Sequence, residues 1–187
     1  MNNWSIGKSA TLADIVMCLN EYRVRTVGLY ACVNVGVKLG DVFVNPDFMV
    51  MINKGSHKQC KPDYEKDYFV GPPNFILDIH NDLNSQFIKE RKELFESAGV
   101  QEYIVIHENL EFVQWNRLEK SKLFWKNKFH EVQPDENGII KSSSLPGLWI
   151  PIDALKKRDN WRVMASIEQG LTRREHHDLM DTIWKNK

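Results

Sequence analysis

Two apolar runs flank an amphipathic segment between residues 73 and 106. The first run, Phe75-Ile76-Leu77, leads directly into Asp78, and a polar turn follows. Segment 85–98 repeats apolar residues at helical spacing and is ended by Gly99, before the second apolar run at 103–106. This pattern predicts a strand, a helix and a second strand. Asp78 is then at the carboxyl end of a strand, where ligands and chemistry gather in sheet proteins.

The segment before this unit predicts a helix and a strand. Thr11 is the predicted N-cap, and apolar residues then recur at helical spacing, which predicts a helix over 12–22. Segment 27–35 is rich in Val, Tyr and Leu and predicts a strand, with 37–39 as a short continuation. Glycines punctuate the end of this strand.

A proline interrupts the next predicted strand, over 42–52. Because proline is poorly tolerated inside a central strand, Pro46 indicates a kink or bulge. Asp47 then lies at the head of the apolar run 48–52. The polar segment 53–72 is long for a connection and predicts a solvated, functional or mobile loop.

The chain after residue 103 alternates short apolar segments with turn residues, which predicts an antiparallel meander at one edge of the sheet. A strong turn signal, ending in Asn137-Gly138, follows it. The strands predicted in this region cover 103–107, 111–115, 123–125 and 129–132.

The C-terminal segment predicts two further helices after a short helical turn at 152–157. Asp159 caps the first, which Gly170 is expected to end. Thr172 is expected to cap the second, with Glu175 in the capping-box position. We interpret this segment as a surface appendage or an oligomer contact.

One cation occupies the apolar face of the helix predicted over 85–98. Phe87, Arg91, Leu94 and Ala98 follow one another at steps of four, three and four, which places them on one face. A cation within such a face either extends outward to water or pairs with a buried acid, and Asp78 is the obvious acid. Two interpretations stay open. Asp78 is a metal ligand or a base, or it forms a structural ion pair with Arg91 and takes no part in catalysis.

The composition narrows the class of protein. A chain of 187 residues with 42% hydrophobic and 27% charged residues is typical of one soluble globular domain. Its formal net charge is zero, so any nucleic-acid partner requires a local basic patch. The three cysteines suit a reducing interior, which predicts a cytoplasmic location. We see no signal peptide and no apolar stretch that approaches a membrane span.

Five sequence segments, in this order and spacing, resemble the Uma2 family of restriction endonuclease-like bacterial proteins. The resemblance covers about residues 12–155. It predicts a domain over 1–157, followed by a helical extension over 158–187. The segments are Pro46-Asp47, Phe75-Ile76-Leu77-Asp78-Ile79, Ser97-Ala98-Gly99-Val100, Glu102-Tyr103-Ile104-Val105 and Leu145-Pro146-Gly147-Leu148-Trp149.

This resemblance implies the PD-(D/E)XK nuclease fold, an α/β (α+β) fold with a mixed sheet flanked by helices. In that superfamily two acids from adjacent strands hold one or two Mg²⁺ ions. Carried over by position, Asp47 and Asp78 are the metal-binding acids, and the carbonyl of Ile79 completes the coordination. Mg²⁺, or Mn²⁺ in its place, suits such oxygen ligands and activates water for phosphodiester hydrolysis.

The sequence departs from the family pattern at several positions. Asp78 stands where the family usually has Glu, and His80 stands where the superfamily has its lysine. Arg91, Lys92 and His80 are therefore alternatives for the third catalytic partner. Arginine can only stabilise charge, whereas histidine can act as a general base near neutral pH. Glu21 is the one candidate for an acid on the first helix, and His107 replaces an Asp of the family.

Two functions follow as hypotheses. The first is a Mg²⁺-dependent endonuclease that cleaves DNA, with a homodimer as a possible assembly. The second is a catalytically inactive relative that keeps the fold as a nucleic-acid or protein interaction module. Retention of both acids favours the first, and the neutral charge and the altered lysine position favour the second.

Overall fold

A computed structural model describes residues 4–120 and 127–185. The helices are Ile6–Arg25 (α1), Gln86–Ala98 (α2), Ile152–Lys156 (α3), Asn160–Leu171 (α4) and Arg174–Lys185 (α5). The strands are Leu29–Val33 (β1), Val37–Leu39 (β2), Val42–Val44 (β3), Phe48–Ile52 (β4), Lys61–Asp63 (β5), Tyr68–Val70 (β6), Phe75–Ile79 (β7), Glu102–Ile106 (β8), Val113–Lys120 (β9), Asn127–Glu131 (β10), Ile139–Lys141 (β11) and Trp149–Pro151 (β12). The strand predicted over 123–125 lies outside the described residues.

A mixed six-stranded sheet forms the centre of the fold, in the order β1-β4-β7-β8-β9-β10. Strands β7 and β8 are parallel because α2 connects them, and the other neighbouring pairs are antiparallel. β4, β7 and β8 are buried along their whole length, as expected for central strands. The predicted mixed α/β fold is confirmed, as is the antiparallel meander through β8, β9 and β10.

A second sheet, in the order β3-β2-β6-β5, corrects three predictions. Segment 37–39 does not continue the strand predicted over 27–35, because β2 lies in this small sheet and β1 lies in the main sheet. The segment 42–52 is not one kinked strand, because Pro46 and Asp47 separate β3, in this small sheet, from β4 in the main sheet. The segment 53–72 is not a structureless loop, because it contains β5 and β6. Both strands have three residues, too few to show an alternating pattern.

Alternation along β7 assigns its side chains to two separate cores. Phe75, Leu77 and Ile79 pack on the face that α1 and the C-terminal helices cover. Ile76 packs on the opposite face, in the core that includes side chains of α2. Because successive strand residues point to opposite faces, Asp78 points toward α2.

Helix α1 is longer than predicted at both ends. It begins at Ile6, where the Ser5 side chain caps it by accepting a hydrogen bond from Lys8 N at 3.0 Å. Thr11 is therefore inside the helix, and its hydroxyl donates to the carbonyl of Glu108 at 2.6 Å. The predicted N-cap was wrong because Thr11 uses its hydroxyl for a tertiary contact.

The C-terminal helices are part of the main core, so their interpretation as a surface appendage is wrong. Gly170 does not end its helix but lies within α4. Thr172 caps the end of α4, its hydroxyl donating to Gln169 O at 2.8 Å, and does not begin α5. The side chains that these helices bury in the core with α1 are Val163, Ile167, Leu171, Leu179 and Ile183.

Among residues 4–120 and 127–185, no helix combines the length and apolar character needed to cross a bilayer.

Candidate functional site

Asp47 and Asp78 lie side by side at one end of the central strands, where β4 begins and β7 ends. The antiparallel register of β4 and β7 pairs Phe48 with Leu77, which brings the residue before β4 beside the end of β7. Asp47 N donates to Asp78 Oδ1 at 3.2 Å, and Ile79 N donates to Asp47 Oδ2 at 2.7 Å. Each carboxylate is therefore oriented by the backbone of the neighbouring strand.

Asp78 accepts hydrogen bonds on both oxygens from two buried side chains. Arg91 donates from Nε to Oδ2 at 2.6 Å and from Nη2 to Oδ1 at 3.0 Å. Tyr103 donates its hydroxyl to Oδ2 at 2.9 Å. With the amide of Asp47, these bonds occupy the roughly four acceptor positions of a carboxylate.

Aromatic rings complete the surroundings of this ion pair. The Arg91 guanidinium lies 5.0 Å from the ring centroids of both Phe87 and Phe95. Burial, followed by the negative charge of Asp78, raises the pKa of Tyr103 well above its ordinary value, so Tyr103 remains a neutral donor.

The Arg91–Asp78 pair is buried, with exposed fractions of 3% for Asp78 and 8% for Arg91. A carboxylate at this depth is stable because a cation and hydrogen bonds compensate it.

Lys8 compensates the charge of Asp47 from the first turns of α1. Its Nζ lies 2.7 Å from Asp47 Oδ1, and the ammonium lies 5.0 Å from the ring centroid of Trp4. This pair is more accessible than the Arg91–Asp78 pair, since 25% of the Lys8 side chain is exposed. Lys8 was not predicted as a site residue, because the predicted helix began at residue 12 and α1 begins at Ile6.

Glu108, just after β8, binds the start of α1 at the same end of the sheet. The Ser5 hydroxyl donates to the Glu108 carboxylate, and Thr11 bonds its carbonyl. The hydrogen bond from Ser5, with smaller contributions that include His107 and Lys8, lowers the pKa of Glu108. This end of the sheet therefore carries charges of alternating sign, on Asp47, Lys8 and Glu108.

The other predicted partners are placed differently. His80 is in the turn after β7, where its Nδ1 accepts a hydrogen bond from Asp82 N at 3.1 Å and its ring stacks on Phe87 at 5.5 Å. Lys92 neighbours Arg91 on α2, but no hydrogen bond or ion pair connects it to either acid in the described part of the chain. Of the three alternatives, Arg91 is the one in contact with Asp78.

The two remaining family positions do not add a carboxylate to the pair. Glu21 pairs with Arg25, and it lies thirteen residues beyond Lys8 on α1, or roughly 20 Å along the helix. His107 accepts a hydrogen bond from Asn109 N at 3.2 Å and contacts Phe112. On α1, a lysine rather than an acid reaches Asp47.

The carboxylate oxygens of Asp47 and Asp78 are ligands of the kind that a hard divalent ion prefers. Lys8 already contacts Asp47, and Arg91 already contacts Asp78. Asp47 fits such an ion, because its Oδ1 partner is a partly exposed lysine that another cation can replace. Asp78 fits only in exchange for one of its buried hydrogen bonds. No cluster of three or more His, Cys, Asp or Glu side chains suited to a metal occurs within residues 4–120 and 127–185.

The mixed sheet, with two carboxylates placed where β4 begins and β7 ends, defines an α/β protein with an acidic candidate site. The family model named Uma2, described as "Putative restriction endonuclease", matches residues 7–153. This match spans well over half of the chain, so the protein belongs to the Uma2 family.

A solved structure has the same fold. It is titled as a "putative nuclease belonging to DUF820" from Anabaena variabilis, and it superimposes with a TM-score of 0.60 at 18% sequence identity over 83% of each chain. At 18% sequence identity, this similarity shows the fold alone. No curated protein matches the sequence of this chain.

Proposed function

We propose that this protein is a Mg²⁺-dependent endonuclease that hydrolyses DNA phosphodiester bonds. The observation that carries the proposal is the proximity of Asp47 and Asp78 where β4 begins and β7 ends, since the backbone N–H of Asp47 donates to Asp78 Oδ1 at 3.2 Å. Membership of a family described as "Putative restriction endonuclease" supports the same reaction class. The free cysteines Cys18, Cys32 and Cys60 suit the bacterial cytoplasm as its setting.

In this proposal the carboxylates of Asp47 and Asp78, with the carbonyl of Ile79, hold the ion. When bound, Mg²⁺ polarises the phosphodiester and lowers the pKa of a coordinated water. Arg91 orients Asp78 through its two hydrogen bonds and compensates its charge. It does not serve as the general base, because a guanidinium has no acceptor and does not lose its proton. Lys8 supplies positive charge beside Asp47, where a phosphate approaches.

A second candidate is an inactive nuclease-fold protein that binds nucleic acid or protein. The complete set of hydrogen bonds on Asp78 favours it. A metal ligand must offer a lone pair, and here a bidentate arginine and a tyrosine occupy that carboxylate. The same contacts would make the Asp78–Arg91 pair purely structural.

Calorimetry with Mg²⁺ and Mn²⁺, run alongside plasmid cleavage, separates the two candidates. Asp47→Asn and Asp78→Asn keep side-chain size and remove one charge each, and Lys92→Ala serves as the matched control on α2. The nuclease proposal expects metal binding and cleavage in the native chain and in the control, and loss of both in the two Asn variants. A native chain that neither binds metal nor cleaves DNA or RNA contradicts it and leaves the second candidate.

A further inference from the structure

Strand β1 is an open edge of the main sheet. It pairs with β4 on one side, and no other described strand pairs with it. The opposite edge strand, β10, carries Lys128, His130 and Glu131, and charged side chains of this kind discourage pairing with another chain. β1 has the sequence Leu-Tyr-Ala-Cys-Val and carries no charge.

The hydrogen bonds that flank β1 show which backbone groups face the open side. Asn53 N donates to Gly28 O at 2.9 Å, and Asn34 N donates to Asp47 O at 3.2 Å. In an antiparallel pair, bonding to the neighbour alternates with every residue, so the even-numbered residues of β1 bond to β4. The N–H and C=O groups that point outward are those of Leu29, Ala31 and Val33.

This outward row is complementary to itself. When two copies of β1 lie antiparallel about a two-fold axis at Ala31, Leu29 of each copy faces Val33 of the other, and Ala31 faces Ala31. All outward N–H and C=O groups then pair, giving about six hydrogen bonds. No like charges oppose one another, since every side chain of the strand is uncharged.

Apolar surface adjoins the same edge. An apolar groove between α1 and the sheet is lined in part by Val16, Leu29, Ala31 and Val33. On the outer side of α1, Met17 is 48% exposed, and Val33 on β1 is 45% exposed. Pairing of two edges would cover this surface in both copies, which adds a hydrophobic contribution to the backbone bonds.

We propose that β1 is a homodimer interface that joins the main sheets of two copies into one continuous antiparallel sheet. The occupant is a second copy because the register of β1 matches its own reverse. The carbonyl of Asp47 accepts a hydrogen bond from the N–H of Asn34, immediately beyond β1. The dimer would therefore contain two candidate sites, one on each side of the two-fold axis.

Analytical ultracentrifugation of the full chain over a range of concentrations tests this proposal. Ala31→Pro removes an N–H that faces outward and leaves the bonds to β4 intact, a position where edge strands accept proline. One hydrogen bond is lost per copy, so we expect a dimer dissociation constant about 30-fold weaker. Val33→Lys places a charge on the open edge and is expected to shift the chain to monomer.

Val42→Lys is the matched control, because Val42 is 46% exposed but lies on β3, in the small sheet. It is expected to dimerise like the native chain, and circular dichroism checks that each variant is folded. A monomeric native chain at the highest concentration overturns the proposal. So does a dimer that both edge variants leave unchanged.

Discussion

Arg91 binds Asp78 with two hydrogen bonds, from Nε at 2.6 Å and from Nη2 at 3.0 Å. This relationship fixes helix α2 against the end of β7. It also means that the acid expected to hold a metal depends on one helical side chain for its charge compensation. The stability of the fold and the chemistry of the site are therefore coupled at Asp78.

Arg91→Ala is expected to lower the free energy of unfolding by about 3–5 kcal/mol, because it leaves a buried carboxylate without its cation. Urea denaturation measures this loss. Adding Asp78→Asn to the same chain is expected to recover part of it, since the uncompensated charge is then gone. Lys92→Ala, one residue away on α2, is expected to stay within about 0.5 kcal/mol of the native chain. A cost below about 1 kcal/mol for Arg91→Ala would show that the pair is not electrostatically important.

Lys8→Ala is expected to increase the affinity for Mn²⁺ about two- to fivefold, because the ammonium 2.7 Å from Asp47 competes with a divalent ion. Lys8→Arg retains the charge and is expected to change the affinity little. Calorimetric titration compares the three chains. Weaker Mn²⁺ binding in Lys8→Ala would mean that Lys8 supports the metal-bound form instead of competing with it.

The stability of the protein is expected to fall as the pH drops below about 6.5, because of His176. Burial, reinforced by His177, lowers the pKa of His176, which contacts Thr26 at 3.0 Å and the ring of Tyr22. The unfolded chain then binds a proton at a higher pH than the folded chain, so acid favours unfolding. Thermal melts at several pH values measure this slope.

His176→Gln is expected to flatten the slope between pH 7 and 5 (about the range over which an unfolded histidine titrates). His177→Gln, which alters an exposed neighbour, is expected to preserve most of it. An identical pH dependence in the native and His176→Gln chains would assign the effect to other groups.

Gly170→Ala is expected to destabilise the fold by about 1–3 kcal/mol, even though alanine favours a helix by about 1 kcal/mol. A Cβ atom at Gly170 would lie 2.1 Å from Gly147 O, so α4 would have to move away from the loop before β12. Urea denaturation measures the cost. Gly36→Ala is the control, since its nearest neighbour is Tyr68 Cβ at 3.4 Å, and no change at Gly170 relative to this control would contradict the close packing.

The sequence was sufficient to predict the central unit of the fold and the Arg91–Asp78 contact. Both depend on local patterns: apolar runs of strand length, helical spacing in α2 and the end of a strand at Asp78. Because a strand and the helix that follows it pack together, one cation on the apolar face of α2 was enough to indicate its partner.

The rest of the site could not be predicted because it depends on contacts between distant segments. Lys8 meets Asp47, and Tyr103 meets Asp78, only after α1 and β8 are placed beside β4 and β7. Neither residue carries a local signal of its role, since a lysine in a first helical turn and a tyrosine in a strand are both common. The strands β5 and β6 were missed for a related reason: partners in the small sheet, rather than their own composition, stabilise them.

The two C-terminal helices have a practical consequence for anyone who shortens this chain. The family match ends at residue 153, which invites expression of a fragment that stops near that point. Such a fragment would lack Val163, Ile167, Leu171, Leu179 and Ile183, which are all core residues. At about 1.5–3 kcal/mol for each buried side chain, the loss is on the order of 10 kcal/mol, comparable with the whole stability of a domain. We therefore expect the fragment to aggregate, and a library of variants should be built on all 187 residues.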